Sequence, residues 1–115
     1  MTASAARGSD LGAALATLDR RVRGYSASAW RTGGRSAVAF VLAGRLVELA
    51  RAAGDPVPAT AAVPTVAEHG IADVLAVLGA DLVAALDARP DPALAAEATR
   101  AVNDAVDALA TRGAR

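Results

Sequence analysis

The residues best suited to chemistry lie together in the run YSASAWRTGGR, Tyr25 to Arg35. It contains the chain's only tyrosine and tryptophan, a Gly-Gly pair and two arginines. Glycines at the start of a helix present backbone N–H groups at the positive end of the helix dipole. Arg31 and Arg35 flank Gly33 and Gly34, so these four residues would suit a phosphate, sulfate or carboxylate. Ala29 to Ser36, AWRTGGRS, also fits the phosphate-loop spacing, with arginine in the lysine position. A phosphate loop follows a β-strand, whereas an amphipathic helix precedes this run, so nucleotide hydrolysis is set aside. Two readings stay open: an anion-binding corner, or a helix-to-helix corner in which Tyr25 and Trp30 cover one end of the fold.

Just upstream, Arg20, Arg21 and Arg23 join Tyr25 and Trp30 in a second candidate cluster. Arginines mixed with aromatics occur in single-strand binders and in protein interfaces alike. Charge discriminates between the two. The formal net charge is zero, which hides opposed halves. Residues 1–54 carry eight arginines against three acids, and residues 55–115 carry four arginines against nine acids. The acidic half would repel a phosphate backbone, which argues against nucleic acid. The two halves either pair within the chain or meet the opposite charge on a protein partner or a second copy.

Other chemistries lack their parts. The chain has no cysteine, hence no thiol nucleophile, disulfide or thiolate-bound zinc. His69 is the only histidine. Asp73, one helical turn on, could orient it, but one His with one Asp is too small a set for a metal site. No catalytic residue, cofactor or metal is implied. The opening MTASAARGSD lacks the apolar core of a secretion signal, and Arg45 and Glu48 interrupt the longest apolar helix too soon for a membrane span. A soluble, cytoplasmic protein is expected.

The elements that must position these residues follow from apolar spacing. Leu11, Leu15, Leu18, Val22 and Tyr25 recur at helical intervals, with Ser9 as the expected N-cap and residues 1–8 as a disordered tail. A second helix is expected from about Ser36 to Ala53. Val38, Leu42, Leu46 and Leu49 form one face and Phe40, Ala43, Val47 and Ala50 another, leaving a narrow polar strip of Gly44, Arg45, Glu48 and Arg51. This helix should be the most buried. Residues 54–65, GDPVPATAAVPT, carry three prolines and read as an extended connector. Thr65 and Glu68 form a capping box for a third helix, with Ile71, Val74 or Leu75, Leu78, Leu82 and Leu86 inward. Asp91 and Pro92 open a fourth, with Leu94, Ala98, Val102, Ala105, Val106 and Leu109 inward and Gly113 at its end.

The expected fold class is all-α, a single domain over 1–115: an antiparallel four-helix bundle with a Pro-rich connector between helices 2 and 3. Its core is thin. Alanine supplies 33 of the 115 residues and buries little surface. A chain with so few large side chains gains by covering a face with another copy, so a homodimer is expected. The leading functional reading is a non-enzymatic helical protein–protein interaction module that self-associates. The alternative is an anion-binding protein or accessory enzyme subunit using Arg31, Gly33, Gly34 and Arg35.

Overall fold

The computed structural model describes residues 3–54 and 68–112, which form five helices and no strand. They are α1 (Ala3–Arg23), α2 (Ala27–Trp30), α3 (Arg35–Ala52), α4 (Glu68–Ala88) and α5 (Pro92–Arg112). No helix among the described residues is long and apolar enough to cross a membrane.

The first helix starts earlier than its sequence signals imply. α1 runs from Ala3, so Ser9 lies inside it and is not its N-cap, and the stretch expected as a tail is helical from Ala3 onward. Leu11, Ala14, Leu18 and Val22 are buried along it, while Leu15 and Tyr25 are half-buried. Gly24 and Tyr25 close the helix by donating to the carbonyls of Arg21 and Val22. α2 is a single turn that apolar periodicity did not reveal. Ser26 caps it, its Oγ accepting from the Ala29 N–H at 3.1 Å.

α3 begins after two residues in the left-handed region, Gly33 at φ 66° and Gly34 at φ 76°, where a side chain would be strained. Ala39, Leu42, Ala43, Leu46, Leu49 and Ala50 are buried along it, and Ala53 just beyond its end. Its solvent strip carries an apolar residue that sequence reading left out: Val41 is 74% exposed. On α4 the buried residues are Ile71, Ala72, Leu75, Gly79, Leu82 and Leu86, whereas Val74 and Leu78 are half-buried. α5 opens as expected: Asp91 Oδ1 accepts from the Leu94 N–H at 3.1 Å, and Pro92 takes the first helical position. Ala98, Val102, Ala105, Val106 and Leu109 are buried, and Leu94 is half-buried. Thr65 and Gly113 lie outside the described residues, as do most of the connector and the side chains of Glu68 and His69.

The long helices pack as a ring. α1 touches α4 and α5, α3 touches the same two, and the short α2 sits against α3 and α4.

Candidate functional site

The corner between α1 and α3 is built around a buried arginine. Arg35 is only 9% exposed. As the first residue of α3 it would face the positive end of its own helix, an unfavourable place for a cation. Its side chain instead reaches across the fold. Nε donates to the carbonyl of Leu109 at 3.3 Å, and one terminal nitrogen donates to the carbonyl of Ala29 at 2.8 Å. Leu109 lies in the last turn of α5, where the helix dipole is negative and favours a cation. The guanidinium carbon also stands 4.7 Å from the centre of the Tyr25 ring.

Tyr25 and Trp30 complete the corner. Their rings meet edge to face with centroids 5.2 Å apart, and Trp30 is 3% exposed. Ser36 Oγ donates to the Trp30 carbonyl at 3.0 Å, and Thr32 Oγ1 donates to that of Ser28 at 2.9 Å. The Tyr25 hydroxyl is buried and has no hydrogen-bond partner among the described residues. Arg31, Gly33 and Gly34 are exposed. Of the four anion candidates, Arg31, Gly33, Gly34 and Arg35, the one side chain that is buried aims its guanidinium inward, at two carbonyls and a ring.

The arginine cluster is divided in the same way. Arg20 and Arg21 are exposed, while Arg23 bridges Asp19 at 2.8 Å and Asp73 at 3.1 Å. The hydrogen bond that Arg23 donates to Asp73, then the one it donates to Asp19, raises its pKa, because both carboxylates favour the charged guanidinium. Asp73 is therefore engaged with α1. A second ion pair, Arg45 with Glu97, joins α3 to α5, and Glu48 lies 4.0 Å from Arg45. The basic and acidic halves thus meet within the chain at two places. No group of three metal-ligating side chains occurs among the described residues.

Two open apolar grooves were not anticipated. One, of about 520 Å³, runs between α1 and α4 over Gly12, Leu15, Ala16, Gly79, Ala80 and Val83, with Arg23 and Asp87 also in its lining. The other, of about 440 Å³, runs between α3 and α5 over Ala37, Val38, Val41, Leu42, Ala101 and Ala105, with Arg45 and Asp104 also in its lining. Among the described residues Val41 and Val77 are the exposed large apolar ones; Val41 lines the second groove, whereas Val77, 60% exposed, is outside the lining of the first. The only sequence signal for the grooves is the run of alanines on the outer helix faces, and alanine is common everywhere in this chain. No family model, curated protein or solved structure matches the chain.

Proposed function

We propose that this chain is a non-enzymatic helical protein–protein interaction module that self-associates in the cytoplasm, its long helices forming a four-helix bundle with two antiparallel pairs. The pairings are supported by two contacts along each pair. Arg35 meets Leu109 and Arg45 meets Glu97, so advancing along α3 retreats along α5. Gly79 lies against Leu15 and Asp73 against Arg23, which relates α1 to α4 in the same way. Gly54, past the end of α3, adjoins Arg89, past the end of α4. These two helices therefore finish at one end of the bundle.

The observation that carries the functional reading is the exposed apolar lining of the two grooves. They lie on opposite edges of the ring of helices, and the exposed Val41 lines the one between α3 and α5. Covering such surface releases ~25 cal/mol for each Å² of apolar area. A chain in which nine of the 23 buried apolar residues described are alanine has more to gain from that than one with a core of larger side chains. Sedimentation velocity of the full chain over a dilution series tests the reading. A species of twice the chain mass that dissociates on dilution is expected. A monomer at every concentration, folded and unchanged up to high micromolar, would refute self-association.

A further inference from the structure

We infer that the self-association face is the α3/α5 edge, and that its occupant is a second copy of this chain related by a twofold axis crossing the helices at the level of Val41. The inference rests on the self-association reading above and adds the surface, the symmetry and the charge pairing.

The argument begins with two charges that have no partner. Asp104 lines the groove, Arg100 is exposed one turn before it on α5, and neither makes an ion pair among the described residues. The contacts of Arg35 with Leu109 and of Arg45 with Glu97 fix the register between α3 and α5. Interpolated between them, Val41 stands level with Val102, which lies midway between Arg100 and Asp104 in sequence. A twofold axis through that level, lying in the face and crossing both helices, stacks α3 on α3 and α5 on α5 in opposite directions. Arg100 of each copy then faces Asp104 of the other. Two ion pairs form, related by the axis, and they flank a contact between the two Val41 side chains.

The alternative twofold axis, running along the helices, sets α3 of one copy over α5 of the other at the same level. It brings Val41 to the level of Val102 and leaves Arg100 and Asp104 without opposite charges. Charge complementarity therefore selects the crossing axis. An isologous contact needs a self-complementary patch, and this edge supplies one: apolar residues at its centre and opposite charges on either side. Small side chains, Ala37 and Ala101, let the helices approach closely.

A charge swap tests the pairing. Dimer dissociation constants would be measured by sedimentation equilibrium for the full chain, for Arg100→Asp, for Asp104→Arg and for the double substitution. Each single substitution sets like charges opposite one another twice in the dimer and should weaken it on the order of tenfold. The double substitution restores opposite charges and should return the constant to near the original. Val41→Asp, at an exposed position, should give monomer with an unchanged far-UV circular dichroism spectrum. If the full chain is a dimer and these substitutions leave its constant unchanged, the face is wrong and the self-association reading stands. The face is also wrong if both single substitutions weaken the dimer and the double does not recover it. A full chain that is monomeric throughout overturns both.

Discussion

Replacing Arg35 by methionine keeps most of the side-chain volume and removes the guanidinium. Two hydrogen bonds to carbonyls and the stack on Tyr25 are lost. Charge-assisted hydrogen bonds contribute ~1.5 to 3 kcal/mol each and a partly desolvated cation–π contact ~0.5 to 2 kcal/mol. Against this, the substitution relieves the cost of burying a cation, which is several kcal/mol. These terms largely cancel, and the residue left behind decides the balance. The Ala29 carbonyl keeps the Thr32 N–H as a donor at 3.1 Å, whereas the Leu109 carbonyl loses the Arg35 Nε–H in the interior, where methionine offers no replacement. A buried hydrogen bond from a charged donor contributes ~1.5 to 3 kcal/mol net, so a loss of about 2 kcal/mol is expected.

Urea denaturation followed by Trp30 fluorescence and by circular dichroism would measure that loss. Lysine at position 35 should recover only part of it, because one ammonium cannot reach two separated carbonyls and stack on a ring as the guanidinium fork does. A methionine variant within ~0.5 kcal/mol of the original would refute the account, since changes of that size are typical of plain surface positions. The same samples address anion binding. With the guanidinium aimed inward, sulfate and chloride at matched ionic strength should give the same melting temperature. A sulfate-specific rise that disappears in Arg31→Ala would restore the anion-binding reading of Arg31, Gly33, Gly34 and Arg35.

Other substitutions follow from single contacts. Tyr25→Phe removes a buried hydroxyl that has no partner among the described residues and keeps the ring, so it should be neutral or stabilise by up to about 1 kcal/mol in the same denaturation assay. Leu42→Ala should cost ~2 to 5 kcal/mol as a buried deletion, and half-buried Leu78→Ala clearly less; equal losses would contradict the burial pattern. Gly44→Ala adds a Cβ that meets nothing within 4 Å and should raise stability by ~0.5 to 1 kcal/mol through helix propensity, whereas Gly34→Ala, at φ 76°, should lower it by ~1 to 2 kcal/mol. The same sign for both would be inconsistent with the two backbone conformations.

The parts of the fold legible in the sequence were those set by local rules. Asp91 and Pro92 announce the start of α5 because the cap and the first-turn proline act within one turn. The stripes Leu11 to Val22 and Ala98 to Leu109 announce their buried faces because helical period alone places them. Other features depend on neighbours. Val41 belongs by type to the apolar part of α3, and it is exposed because α4 and α5 cover other sides of that helix. Leu78 was expected inward and is half-buried, since the helix turns Leu75 and Leu82 more directly at the core. α2 is one turn long and shows no period. Arg35 looked like an exposed binding group because arginine usually is one, and nothing local reveals that the Leu109 carbonyl, 74 residues on, lies within its reach.

The composition that makes the core thin also shapes the surface. Most leucines and valines of the four long helices are drawn inward, Val41 and Val77 apart, and the alanines that remain outside give helix faces that are apolar yet shallow. Such faces cannot hold a large side chain tightly, but they let another helix approach closely, so they favour contact along a length of helix over insertion of a single anchor. If the α3/α5 edge meets its own copy, the α1/α4 edge across the ring faces away from the twofold axis in both copies. The dimer then carries two equivalent grooves, each floored by Gly12, Ala16 and Ala80. Gly12 is exposed there, and a Cβ built on it meets nothing within 4 Å. Intramolecular packing therefore does not require glycine at this position, where alanine would favour the helix by ~1 kcal/mol. Gly12→Ala should raise the melting temperature and leave the dimer constant unchanged. A weakened dimer would transfer the self-contact to the α1/α4 groove, and the Val41 substitution would then be silent.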